Sequence, residues 1–265
     1  MRSLLQSSAP SMAQPLPGTP LLVINGLSRR YGRIHAVEKI NLNVYGGEIF
    51  ALLGAKDSGK STLLRMLSTL LPPTAGDALV AGYSILSQAE DVRRVMGHVP
   101  PEESVDGALT GQENLQRHAQ RLGLEELLAQ ERIREALGFM GLSRDGDRLV
   151  GDYTRGMVRR LEIAQASLHR PRVLLLDEPT LGLDPLARGT VWNHLLDLRA
   201  NCQLTLVFST SSVEEAQGHA DRVGILQAGR LEAVGSIIQL LASSPGGGSL
   251  GSVCARWGID AATSR

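Results

Sequence analysis

Two short stretches carry residues whose types and spacing suit the handling of a phosphate chain. The first, Gly54-Ala55-Lys56-Asp57-Ser58-Gly59-Lys60-Ser61, fits G-x-x-x-x-G-K-[ST]. Glycines let such a loop bend and bring its backbone close to phosphate oxygens. Successive N–H groups then point inward as an anion nest, beside the positive end of a helix dipole. Lys60 supplies charge for the outer phosphates, and the Ser61 hydroxyl suits magnesium. The second stretch, Val173 to Glu178, ends an apolar run with two acids, Asp177 and Glu178. Asp177 can serve a magnesium shell while Glu178 polarises an attacking water. Buried acids without a cation are costly, so each stretch supports the reading of the other. Lys60 and Glu178 are the catalytic candidates; Ser61 and Asp177 are the metal candidates.

These residues need a frame. Ile49 to Leu53 is a continuous apolar run, short enough for a fully buried strand, and it leads directly into Gly54. Ser61 to Leu71 has helical character, and Pro72-Pro73 ends it. The phosphate loop therefore has a strand before it and a helix after it. Leu21 to Ile24 suggests a short edge strand, and Ile40, Leu42 and Val44 alternate with polar residues as in a half-buried strand. Residues 79–99 read as short strands with a helix around Ala89 to Val95. From Thr110 to Met140 the pattern is helical, with Leu124, Leu127, Leu128, Ile133, Leu137 and Met140 near one face. A polar stretch, Ser143 to Gly156, precedes a helix from Met157 to Leu168. Leu204 to Phe208 and Val223 to Leu226 are further strand candidates. Alternating strands and helices imply an α/β fold with a mainly parallel sheet.

Composition narrows the setting. The 265 residues are 43% hydrophobic, ample for one sizeable core. Lys+Arg and Asp+Glu stand at 27 each, so no global basic field exists to hold nucleic acid. The two cysteines, Cys202 and Cys254, form no CxxC, which fits a reducing compartment. Residues 1–20 read as a disordered leader and 241–265 as a short tail. No apolar run approaches the roughly 18 residues of a membrane span. Work at a membrane would require docking on another subunit.

With several motifs in order, the chain resembles the ATP-binding subunits of ABC transporters, most closely the daunorubicin-resistance branch of drug exporters. The resemblance covers about residues 21–255. Gly54 to Thr62 matches the Walker A loop, and Val173 to Glu178 matches Walker B with its catalytic glutamate. Leu181-Gly182-Leu183-Asp184-Pro185 matches the D-loop. Tyr153-Thr154-Arg155-Gly156 sits at the signature, and Tyr31 matches the aromatic that stacks on adenine. The resemblance implies a P-loop NTPase core, a small antiparallel N-terminal β-subdomain and a helical subdomain inserted at about 105–155, within a nucleotide-binding domain spanning 21–240. It implies ATP and Mg2+ as cofactors. Tyr31, Gly54, Ala55, Lys56, Asp57, Ser58, Gly59, Lys60, Ser61, Thr62, Thr154, Gly156 and Asp184 would contact nucleotide. Two copies, identical or mixed, would face head to tail. A separate transmembrane permease subunit would hold the pair peripherally on the cytoplasmic face of the membrane.

Four departures qualify this expectation. Lys56 and Asp57 replace small or amide residues in the loop. Asp tolerates left-handed backbone, but a like charge about 4 Å from phosphate costs about 4 kcal/mol at an effective dielectric of about 20. Weakened affinity is expected. Pro101 stands at the Q-loop glutamine and lacks both amide side chain and N–H; Glu102 is a candidate substitute. Arg155 replaces the first signature glycine, and either obstructs the γ-phosphate or contacts it as an arginine finger does. Ser211 stands where the switch histidine is expected and cannot titrate as one; His98 and His219 do not match that position. The leading expectation is an exporter ATPase for a drug-like or amphipathic molecule with slow hydrolysis. One alternative is a non-hydrolysing regulatory or structural subunit. Another is a soluble relative acting on ribosomes or DNA repair, disfavoured by the single Walker loop and the lack of heptads.

Overall fold

A computed structural model describes residues 18–242 and 249–255. Most of the expected leader and much of the tail lie outside the described residues. A six-stranded sheet runs in the order β10 (Arg230–Gly235), β9 (Arg222–Gln227), β3 (Ile49–Leu53), β8 (Thr205–Thr210), β7 (Val173–Asp177) and β6 (Met96–Val99). Its neighbours pair in parallel except β10 with β9, which are antiparallel. A second, antiparallel sheet runs β2 (Ile34–Tyr45), β1 (Pro20–Tyr31), β4 (Ala75–Val80), β5 (Tyr83–Ser84). The expected α/β architecture, with a mainly parallel sheet and a small antiparallel subdomain, is thus observed.

Strand β3 shows why a continuous apolar run was needed. Alternate side chains of a strand point to opposite faces. Phe50 and Leu52 enter the core shared with the antiparallel sheet and α1 (Lys60–Leu67). Ile49, Ala51 and Leu53 enter the core beneath the helices on the other face. That second core takes in side chains of α3 (Gly111–Arg121), α4 (Glu126–Phe139), α5 (Arg155–Ser167) and α6 (Pro185–Cys202).

Local expectations were revised in three places. The strand at Leu21 to Ile24 is not an edge: β1 is twelve residues long and lies between β2 and β4, held on both sides. Helix α1 stops at Leu67, before Pro72, because Thr69 turns left-handed at φ 62°. The helical stretch from Thr110 to Met140 is broken at 122–125, with Gly123 at φ 68°, so one continuous face does not form. Leu127 is 82% exposed, while Ile133, Leu137 and Met140 are buried. A capping box between Thr110 and Glu113 starts α3 and fixes its direction.

Candidate functional site

The phosphate loop leaves the carboxyl end of β3, where ligands collect in open α/β sheets. Two glycines are fixed by space. A Cβ on Gly54 would lie 2.4 Å from the Leu226 carbonyl oxygen, and one on Gly59 would lie 2.3 Å from that of Ala36. Gly59 also has φ 105° and precedes the first turn of α1, whose N–H groups have no intrahelical partner. Asp57 takes φ 63°, so the loop closes with Asp in the left-handed region. Behind the loop, the Gly229 N–H donates to the Ser58 carbonyl at 2.9 Å. Lys56 and Asp57 are exposed, Ala55, Ser61 and Thr62 are half-buried, and Ser58 is buried.

Lys60 crosses the loop. Its Nζ donates to the carbonyls of Gly54 at 2.8 Å and Ala55 at 2.9 Å, and lies 3.4 Å from Glu178 Oε1, with only 5% of the side chain exposed. One cation therefore links the loop after β3 to the acid after β7, although β8 lies between those strands. Strand β8 fills the gap: the Gly54 N–H donates to the Thr210 carbonyl, and Ser209 Oγ donates to Asp177 Oδ1 at 2.5 Å.

Asp177 is fully buried, and its Oδ2 has no hydrogen-bond partner among the described residues. A buried carboxylate oxygen in that state is costly unless a cation meets it. Among the described residues no cluster of three His, Cys, Asp or Glu could hold a metal alone. The donor set of one carboxylate and one hydroxyl, Asp177 and Ser61, suits magnesium, which completes its shell with water and substrate phosphates. The residues present fit the group.

Glu178 is a strained residue, with φ 47°. Its N–H donates to Ser209 Oγ at 2.9 Å, and its Oε2 accepts from the Ser211 N–H at 3.3 Å. Burial pushes its carboxyl above the usual range, against the pull of Lys60. A raised value suits a general base.

The loop after β6 holds Pro101. The Arg159 guanidinium donates to the carbonyls of Pro100 at 2.7 Å and Pro101 at 3.2 Å, and pairs with Glu162 at 3.1 Å. Glu162 accepts from the Ser104 N–H and hydroxyl at 2.6 and 3.0 Å. Both side chains are buried, so α5 grips residues 100–104. Glu102 is exposed and pairs with Arg65 at 3.5 Å. His98 is half-buried; burial holds its imidazole low, partly offset by Asp177. His219 stacks on Trp192 with ring centroids 4.0 Å apart.

The other candidates do not join this cluster. Thr154 and Asp184 are helix caps: they accept from the Met157 N–H at 3.3 Å and the Ala187 N–H at 2.9 Å. With Arg155, Gly156 and Gly182 they line a cavity of about 420 Å³ that no phosphate-loop residue borders. Tyr31 ends β1 in a hairpin whose return strand packs on Gly59 through Ala36. The ring is partly exposed and carries the Arg29 guanidinium over it, 4.7 Å from the centroid. Sequence reasoning missed Ser209, Glu215 and the Arg159–Glu162 pair. A faint signal existed in the polar Thr205, Ser209 and Thr210 of an otherwise apolar strand, all buried.

Residues 37–181 match the family model described as ABC transporter. The chain is 38% identical over 225 residues to a daunorubicin/doxorubicin resistance ATP-binding protein of Streptomyces peucetius, covering 85% of this chain and 68% of that one. It is 37% identical over 221 residues to a doxorubicin resistance ATP-binding protein of Mycobacterium tuberculosis, covering 83% and 66%. The chain thus spans about two thirds of the length of these relatives. A solved ATP-binding subunit of an ABC transporter superposes with a TM-score of 0.79 at 28% identity, covering 90% of this chain and 99% of that one.

Proposed function

Because the chain belongs to the ABC transporter family, among ATP-binding proteins of the drug-resistance exporter branch, we propose that it hydrolyses MgATP to drive export through a separate membrane subunit. The observation that carries the reading is the placement of Lys60 between the phosphate loop and Glu178, beside the unpartnered oxygen of Asp177. The loop amides and Lys60 hold the phosphates, and Tyr31 offers its ring to the base. Ser61 and Asp177 would hold magnesium, which would supply positive charge to the outer phosphates. Glu178, held by Ser211 and Lys60, orients a water and accepts its proton.

Two copies are proposed to pair head to tail, so that Thr154, Gly156 and Asp184 of one chain complete the site of the other. The cavity they line, which no phosphate-loop residue borders, supports this. So do Leu181 and Leu186, which flank Asp184 and are 67% and 82% exposed. A drug-like or amphipathic cargo is proposed from the likeness to drug-resistance proteins. Among the described residues no helix is long and apolar enough to cross a membrane. The proposed seat is peripheral, on the cytoplasmic face, docked on a permease.

Turnover is proposed to be slow. Ser211 meets Glu178 with its backbone, and its hydroxyl cannot act as a histidine does. The same observation favours a second reading, a nucleotide-binding regulatory subunit with impaired chemistry. Phosphate release from the purified protein decides between them. Hydrolysis about 1000-fold above a Glu178→Gln control, with MgATP binding equal in both, is the expected result. Release no faster than the control, with binding intact, would sink the hydrolytic reading and leave the regulatory one.

A further inference from the structure

Glu178 holds a left-handed backbone at φ 47°, a conformation that costs a side-chain-bearing residue about 1–2 kcal/mol. Something must hold the segments on either side. On the amino side Ser209 does so, binding both the Glu178 N–H and Asp177. On the carboxyl side the holder is one carboxylate from a helix that contributes nothing else to the site. Glu215, in α7 (Val213–His219), is 6% exposed and has no cation paired with it among the described residues. It accepts three bonds from three different elements. Thr180 Oγ1 donates to Oε1 at 2.5 Å, Trp192 Nε1 to the same oxygen at 2.9 Å, and Thr210 Oγ1 to Oε2 at 2.5 Å.

Each donor sits next to something that matters for Glu178. Thr180 is two residues beyond it, where the chain leaves the strained position. Thr210 is one residue before Ser211, whose N–H meets the Glu178 carboxylate. Thr210 Oγ1 also accepts from the Ser212 N–H at 3.0 Å, so the turn carrying Ser211 is fixed on both sides. Trp192 anchors the assembly to α6, packed edge-on against Phe208 of β8 with ring centroids 4.8 Å apart. A buried carboxylate is expensive to desolvate and stable only when its lone pairs are met. Three donors from separate parts of the chain meet three of its roughly four lone-pair sites, so the position of Glu215 is tightly fixed.

We propose that Glu215 is a positioning residue that locks the Glu178 backbone and the Ser211 turn in one geometry through Thr180 and Thr210. The assignment rests on the reading of Glu178 as the water-activating group. The side chain of Glu215 bonds Thr180, Trp192 and Thr210, none of which is assigned to nucleotide or metal. Its effect is to keep the carboxylate of Glu178 at one distance from Lys60 and the outer phosphate. A misplacement of about 1 Å at such a group costs about 100-fold in rate. The phosphate loop makes none of the three bonds and meets Thr210 only at its backbone carbonyl, so nucleotide affinity is expected to change little.

The test uses the full chain with Glu215→Ala, Glu215→Gln and Thr180→Val. Hydrolysis rate, equilibrium MgATP affinity and amide exchange at 178–181 and 210–212 are read together. The expected result is a rate lower by about 10- to 100-fold in Glu215→Ala, with affinity changed less than about twofold. Glu215→Gln falls between, because an amide oxygen replaces one acceptor and an NH2 group faces a donor. Exchange accelerates at the two segments and stays unchanged in β3. Trp192 emission, in a background with Trp257→Phe, shifts as its indole N–H loses a partner. Unchanged exchange in Glu215→Gln and Thr180→Val overturns the proposal, as does a loss of affinity that parallels the loss of rate. Should Glu215→Ala not fold, the other two variants carry the test. A wild-type chain with no Glu178-dependent turnover removes the hydrolytic reading instead, and amide exchange still decides the role of Glu215.

Discussion

The phosphate loop with its two acids, and the surface around Thr154 and Asp184, are both built from helix starts and tight turns, yet they are held very differently. In the first, Lys60, Asp177 and Ser58 are buried, and Lys60, Asp177 and Glu178 are bonded or paired across three strands. In the second, Thr154, Arg155 and Asp184 are mostly open to solvent, and the bonds of Thr154 and Asp184 stay within their own helix starts. The difference teaches that the groups of the first region are held by one another within a single chain, while those of the second are left exposed, as the proposed pairing requires. Changes in the first should act on a lone chain; changes in the second should act through assembly.

Removing Lys60 is the hardest blow to that contrast. Lys60→Ala takes a charge-assisted donor from phosphate and leaves Glu178 without its cation. MgATP affinity is expected to fall about 100-fold on the isolated chain, measured by calorimetry. Affinity within threefold of wild type would erase the distinction between the two regions. Next comes space. Gly54→Ala puts a methyl against the Leu226 carbonyl and should weaken MgATP about tenfold. Gly156→Ala meets the Ala187 methyl most closely, at 3.1 Å, and should leave affinity on the lone chain within about twofold. Equal losses in the two would count against the comparison.

Arg155→Gly sharpens the second region. If the guanidinium obstructs the partner's phosphate, turnover of the assembled pair rises a few-fold while binding to the single chain stays constant. A fall in turnover of similar size assigns Arg155 to the phosphate as a contact. The smallest effect lies away from both regions, at His118 on α3. Burial, helped by the nearby positive charges of His169 and Arg121, holds its imidazole down to about 4. Between about pH 6.5, the ordinary value, and about 4, the unfolded chain takes up a proton that the folded chain refuses. Stability therefore falls as pH drops through that window and levels off below it. His118→Gln should flatten this acid limb in Tm measured from pH 7 to 4.

The two motif stretches were legible because their chemistry is local: the loop, its flanking strand and helix, and the Asp177-Glu178 pair are contiguous in sequence. The alternation of Ile40, Leu42 and Val44 likewise revealed β2. What could not be read depends on register between distant strands. Ser209 matters because it pairs opposite Asp177, and nothing in the order of residues states that pairing. Glu215 looked like one more acid in Val-Glu-Glu-Ala; only the approach of α6, the Thr180 turn and the end of β8 gives it donors. Leu127 failed for the opposite reason. Its spacing fits a buried stripe, but the break at Gly123 restarts the helix and leaves it outside.

The grip of Arg159 and Glu162 on residues 100–104 has a mechanical reading. Helix α5 begins at Arg155, one turn and about 6 Å from that grip. The exit from β6 and the front of the helix are then two ends of a short stiff lever, with no hinge between them. A displacement at either end is expected to reach the other, because the Arg159 and Glu162 bonds join them directly.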